Sequence, residues 1–249
     1  MEAERVLLVT GGASGIGRAS AQRLAKDGAA VMVADRDETG GVATVEEIAA
    51  AGGIARFTAL DVSDEENVRA SIAATLDAFG RLDGAINCAG VAQAAKQTHA
   101  IEASEWALTL AVNLTGMFHC IKHQIAAMLD QTGGGAIVAV SSAAAVKGLL
   151  NSADYCASKA GILGLVRGAA VDYAEQGIRI NALLPGASDT PLAHRSSAAN
   201  PALKGMLRVP MMRMSSPDEI AAAAVWLVSP DSSYVTGASI CVDGGMTIA

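Results

Sequence analysis

The stretch TGGASGIG, Thr10 to Gly17, decides how this chain folds. It follows the apolar run RVLLVT directly, and its Gly11, Gly15 and Gly17 form a T-G-x-x-x-G-x-G pattern. Ile16 to Ala25 then reads as an amphipathic helix. A strand, a glycine turn and a helix N-terminus together make an anion site. Glycines let the backbone approach a pyrophosphate, and free N–H groups with the helix dipole favour negative charge. Glycine turns also close ordinary strand–helix corners, so the flanking sequence has to carry the reading.

Outward from this turn the chain alternates strand and helix. The spacing predicts strands at Val6–Thr10, AAVMVAD ending at Asp35, IARFTALD, LDGAINCAG, GAIVAVSS, IRINALLPG and GASICVDGG. It predicts helices at Ile16–Asp27, Glu38–Ala51, Ser63–Phe79, Ser104–Leu129, Asp154–Glu175 and Pro217–Val228. Ser63 with Glu66 three residues on has the form of a capping box. Several strands are continuous apolar runs, as expected where helices cover both sheet faces. The expected fold is α/β, a single-domain Rossmann-like doubly wound parallel sheet of about seven strands over residues 1–249. Gly186 to Ser216 is the one long irregular stretch, read as a substrate loop.

Asp35 stands 18 residues past Gly17, where a dinucleotide-binding unit places an acid at the end of its second strand. Such a carboxylate accepts from the adenosine ribose hydroxyls and repels a 2′-phosphate, which favours NAD over NADP. Arg36 is the opposing signal, but Ala13 and Ser14 leave the glycine turn without a second basic residue.

Chemistry concentrates in SSAAAVKGLLNSADYCASKAG. Tyr155 and Lys159 are i and i+4, a turn apart on one helix face. An ammonium beside a phenol favours the phenolate, which predicts a Tyr155 pKa below the usual value of about 10. Such a tyrosine exchanges a proton with a substrate hydroxyl or carbonyl. Ser142, 13 residues earlier, ends strand five at the edge where open α/β sheets bind ligands.

In these motifs, in order and spacing, the whole chain resembles the short-chain dehydrogenase/reductases of about 250 residues. The resemblance implies Tyr155 as catalytic acid/base, Ser142 as the group orienting the substrate oxygen, and Lys159 on the nicotinamide ribose. It implies that Asn113 bends its helix and holds a water linking Lys159 to solvent. The cofactor would lie against Gly11, Ser14, Gly15, Ile16, Gly17 and Asp35, with Asp61 and Val62 flanking its adenine. Asn87 would steady the fourth strand, Gly90, Pro185 and Gly186 would line the site, and Thr190 would reach the carboxamide. A homotetramer is implied as well. Two residues depart from the family pattern: Cys88 replaces the second Asn of N-N-A-G, and Cys156 sits beside Tyr155.

The resulting expectation is an NAD-dependent enzyme interconverting a hydrophobic cyclic or aryl secondary alcohol and its ketone. An NADPH-linked 3-oxoacyl-carrier-protein reductase and a non-catalytic dinucleotide sensor are the alternatives. A net charge of −7 and a pI near 5.1, with no Lys/Arg cluster, argue against nucleic acid. No apolar run reaches a membrane span, and MEAERVLLVT enters a strand at once. With four scattered cysteines, this points to a cytoplasmic protein with a small-molecule substrate. His119 and His123 have zinc-compatible spacing but no third ligand nearby, so no metal is expected. His194 and Arg195 open the loop, and Leu192, Met206, Leu207, Met211, Met212 and Met214 make an apolar lid over substrate plausible on composition.

Overall fold

The computed structural model describes residues 5–92, 95–205 and 208–249. Its centre is a seven-stranded parallel sheet, ordered β3-β2-β1-β4-β5-β6-β7. The strands are β1 Val6–Thr10, β2 Ala30–Asp35, β3 Ile54–Ala59, β4 Gly84–Asn87, β5 Gly135–Val140, β6 Ile178–Pro185 and β7 Ser239–Val242. The helices are α1 Gly15–Lys26, α2 Glu38–Ala50, α3 Glu65–Phe79, α4 Ala103–Leu110, α5 Gly116–Leu129, α6 Ala153–Tyr173, α7 Pro191–Ala199 and α8 Pro217–Val228.

The apolar strand runs follow from two buried faces. Successive side chains alternate across a strand, so Leu8, Met32, Ile137 and Ile180 pack on one side with Val68, Ile121 and Ile162 of α3, α5 and α6. Leu7, Val9, Val31 and Leu183 pack on the other with Leu24, Ile48 and Ile220 of α1, α2 and α8. The order reverses between β1 and β4, and a crevice opens there at the carboxyl ends of the strands.

Four local expectations are corrected. Strand three ends at Ala59, before Asp61. The cap of α3 is Asp64, whose carboxylate accepts from the backbone N–H of Glu66 and Asn67 (2.9 and 3.3 Å). Ser63 lies one residue before the cap, and its hydroxyl donates to Asp61 Oδ1 at 2.6 Å. A carboxylate at a helix N-terminus also gains from the dipole, which a hydroxyl does not match. The predicted helix 104–129 is two helices, α4 and α5, joined by a π-helical turn at Ala111–Thr115. Gly186 to Ser216 is not irregular: it contains α7 and a 3₁₀ turn at Pro201–Gly205. Thr190 caps α7, accepting from Ala193 N at 3.2 Å, and Pro191 occupies its first turn.

The feet of this insertion are joined. Ser188 and Ser215 form an isolated parallel bridge, with Ser215 N donating to Ala187 O and Asp189 N to Ser215 O (3.0 and 2.9 Å). The Ser215 hydroxyl donates to Ser188 Oγ at 2.8 Å. Met206 and Leu207, named above as lid residues, lie outside the described residues.

Candidate active site

A cleft of about 1800 Å³ runs along the carboxyl edge of the sheet. One half is walled by the glycine turn, Asp35, Asp61 and Val62, the other by Ser142, Tyr155, Lys159 and the insertion.

The glycines are fixed by close approach. A Cβ on Gly11 would stand 2.7 Å from Ala89 N, and one on Gly17 would stand 2.1 Å from Gly11 O. Gly15 takes φ +52 beside Thr190, a conformation in which only glycine is unstrained. Ser14, the N-cap of α1, makes no side-chain capping bond, and the first turn holds no acid. Among the described residues no side chain accepts from the N–H groups at this helix end, which borders the cleft as an anion site requires. Asp35 steadies the turn, its two oxygens accepting from Ala13 N and Asp37 N at 3.0 Å each. Asp61 accepts from the Ser63 backbone N–H and hydroxyl, which hold its carboxyl below the ordinary range, with Arg36 adding to the effect. Pro185, Gly186 and Thr190 line the cleft beyond the glycine turn. This half fits a dinucleotide, with donors for the pyrophosphate and carboxylates beyond them.

In the other half α6 carries Tyr155 and Lys159 on one face, with Lys159 Nζ 5.7 Å from the Tyr155 ring centre. Lys159 is buried, and its ammonium donates to Val140 O at 3.1 Å. Ser141 Oγ donates to the Lys159 carbonyl at 2.8 Å, tying β5 to α6. Ser142 accepts from Ala144 N at 3.1 Å and hydrogen-bonds Tyr155. The electrostatics correct the expectation for Tyr155. Burial pushes its phenol above the ordinary value and outweighs the Ser142 hydrogen bond that lowers it. Burial also pushes Lys159 down to about 8, which weakens the cation meant to stabilise a phenolate. Desolvation wins in both groups because the surrounding protein displaces part of the water around half-buried Tyr155 and nearly all of it around buried Lys159.

Two other expected residues act from behind the cleft wall. Asn113 is fully buried in the π-turn and does not reach the cleft through its side chain. Its amide donates to Val91 O at 2.8 Å and Ser158 Oγ at 3.1 Å, and its oxygen accepts from Val91 N at 2.8 Å. It thereby fixes the loop after β4 against α6, beside Gly90, whose Cβ would stand 3.2 Å from Asn113 Oδ1 and 3.4 Å from Lys159 Nζ. Asn87 forms a reciprocal amide pair with Gln124 at 2.9 and 2.8 Å, fully buried between β4 and α5. Cys88 borders the cleft, and burial raises its thiol to about 12, so it stays protonated. Cys156 is half-buried.

The histidine pair ties α5 to Val62 and α3 by polar contacts. His119 Nδ1 meets Val62 O at 3.1 Å, and His123 Nε2 meets Glu65 Oε1 at 3.0 Å. His194, on exposed α7, pairs with Asp189 at 2.6 Å, and Arg195 lines the cleft rim. The sequence reading missed Leu149, Leu203 and Met246, which also line the cleft. No periodic pattern marks them, since each comes from a loop or turn brought there by the tertiary fold.

Comparison with known proteins agrees with this architecture. A family model described as enoyl-(acyl carrier protein) reductase matches residues 11–247. A 2,5-dichloro-2,5-cyclohexadiene-1,4-diol dehydrogenase of Sphingobium indicum is 43% identical over 245 residues, covering 98% of this chain and 97% of that one. A cis-4-hydroxycyclohexanecarboxylate dehydrogenase of Sinomonas cyclohexanicum is 42% identical over 245 residues, with 98% and 97% covered. The crystal structure of levodione reductase superimposes with a TM-score of 0.93 at 37% identity, covering both chains fully. The glycine turn, the Ser142–Tyr155–Lys159 cluster and these likenesses lead to one conclusion: the chain belongs to the short-chain dehydrogenase/reductases, oxidoreductases of secondary alcohols and ketones that bind a nicotinamide dinucleotide.

Proposed function

We propose that the protein interconverts an alicyclic secondary alcohol and its ketone with NAD(H). The observation behind it is the meeting, in one cleft, of Ser142, Tyr155 and Lys159 with an anion-binding glycine turn and Asp35. The relatives named for cyclohexane and cyclohexadiene alcohols support the ring. The bound dinucleotide supplies the hydride acceptor or donor. Tyr155 takes the hydroxyl proton in oxidation and returns it to the carbonyl oxygen in reduction. Ser142 donates to the same oxygen and holds it at Tyr155. Lys159 binds the nicotinamide ribose and presents positive charge to the phenol. Asn113 is a positioning residue that sets α4–α5 against α6. Asp35 receives the adenosine ribose and disfavours a 2′-phosphate. A homotetramer fits the exposed Trp106, Leu108, Phe118 and Val171 on α4, α5 and α6, apolar surface of a kind that partners cover.

The test is NADH formation or loss with a panel of cyclic alcohols and ketones, beside acetoacetyl thioesters with NADPH. Turnover of the cyclic compounds with NAD(H) is expected. Preference for the thioester with NADPH would favour acyl-carrier-protein chemistry instead.

The pH profile follows from Tyr155. Reduction needs the phenol, which burial preserves, so its kcat should change little between about pH 6 and 9. Oxidation needs the phenolate, and its kcat should climb throughout that window. An oxidation optimum at or below neutrality would contradict the assignment. In the cofactor-free protein, unfolding measurements should show Lys159 adding stability as pH rises from about 8 toward its unfolded value, since the folded chain releases that proton first.

The lid gives a further prediction. α7 has no buried residue, so little apolar contact opposes its opening. Its amides should exchange readily in the free protein and slow markedly with NADH and a ketone inhibitor. Equal exchange in both states would make α7 a fixed wall.

A further inference from the structure

The segment after β7 turns back over the cleft. Asp243 organises it, accepting from Gly245 N at 3.0 Å and Thr247 N at 2.8 Å, while Met246 N donates to Asp243 O at 3.1 Å. Gly244 and Gly245 take φ +61 and +85, and side chains there would stand 2.8 Å from Val209 Cγ1 and 3.0 Å from Pro210 Cγ. Met211 N donates to Gly244 O at 3.2 Å. On the opposite side Lys147 reaches the same segment. Its ammonium donates to the backbone oxygens of Met246 at 2.6 Å and Ala249 at 2.9 Å. Lys147 follows the 3₁₀ turn Ala143–Ala145 that begins at Ser142. The tail is thus held between the insertion and the loop leading from Ser142.

Met246, only 3% exposed, is the tail side chain that enters the cleft wall. Strand order fixes which half it serves. Asp35 and Asp61 follow β2 and β3 at one end of the sheet, whereas Ser142 follows β5 and the tail follows β7 at the other. We propose that Met246 is a specificity-determining residue, an apolar wall whose reach sets the ring size admitted to Tyr155, with Lys147 as its positioning residue. The inference rests on the alcohol/ketone reading of the Tyr155 half. A thioether side chain suits this place because it packs on irregular apolar shapes. A charge-assisted bond to the backbone of the residue itself holds that side chain at a constant depth.

The test compares cyclohexanol, decahydro-2-naphthol and a four-ring steroid alcohol, with their ketones, in wild type, Met246→Ala and Met246→Phe. Met246→Ala should raise the large-to-small ratio of kcat/KM by about tenfold, and Met246→Phe should lower it by a similar factor. NADH affinity, read from its fluorescence, should move less than about twofold in both, because the cofactor half is untouched. Lys147→Met should raise KM for cyclohexanol several-fold with kcat nearly unchanged, and Lys147→Arg should restore it. An unchanged size ratio in both Met246 variants overturns the proposal. Ketone binding to the NADH complex, read by fluorescence, gives the same size ratio without turnover. A wild type that binds these ketones but turns none over therefore refutes the catalytic reading, while the binding ratios still decide the role of Met246.

Discussion

Tyr155→Phe should lose about 10²–10⁴ of kcat in both directions, the usual contribution of a general acid–base group. Only the oxygen is removed, so the ring keeps its place on α6. Ser142 still accepts from Ala144 N, and its own O–H, which borders the cleft, turns to water in place of the phenol oxygen. Unfolding stability should therefore change by no more than about 1 kcal/mol. NADH binding, followed by fluorescence, should persist. A variant keeping more than about a tenth of wild-type kcat would remove Tyr155 from the chemistry. Persistent binding with lost turnover would also exclude a dinucleotide sensor, for which the phenol has no use.

The second large effect is expected at Asp35, where wild type should use NAD(H) far better than NADP(H). Asp35→Ala is a blunt probe, because the carboxylate also holds Ala13 N and Asp37 N. Asp35→Asn keeps the shape and one acceptor oxygen while removing the charge. Hydrogen bonds to a charged group are worth roughly 1.5–3 kcal/mol, so the NAD/NADP ratio of kcat/KM should fall by about ten- to a hundredfold. Exposed Arg36, beside Asp61, is then free to meet a 2′-phosphate. A thermal melt separates this from loosening of the glycine turn. Equal efficiency of wild type with both cofactors would refute the role given to Asp35.

Much of this fold is legible before any coordinates, for identifiable reasons. Gly11 and Gly17 sit where a Cβ cannot, and strands buried on both faces leave unbroken apolar runs. Tyr155 and Lys159 follow from helical spacing alone. What failed depended on competition among neighbouring polar groups, on burial, or on contacts distant in sequence. Asp64 rather than Ser63 caps α3, since a carboxylate one residue later accepts from the first-turn N–H groups and gains from the helix dipole. The sign of the Tyr155 shift turns on lost hydration, which no spacing reveals. α7 was legible in part, since Thr190 before Pro191 is a helix-start signal, but PLAHRSSAA has no apolar stripe to continue it. The tail carrying Met246 was not legible, because its place rests on Lys147, about a hundred residues away in sequence.

The bridge between Ser188 and Ser215 makes the insertion a closed cassette on a finished scaffold. Its ends meet whatever lies between them, and lengthening a loop with fixed ends costs little, about 0.6 kcal/mol for each doubling. Sequence between the feet can thus change in length at little cost to the sheet, the glycine turn and α6, provided Thr190 keeps its place beside Gly15 and Val209–Met211 keep theirs against the tail. Descendants of one ancestral enzyme can diverge in what they accept without relearning how to fold. For the engineer, grafting residues 190–214 between relatives is a more economical route to altered selectivity than rebuilding the core.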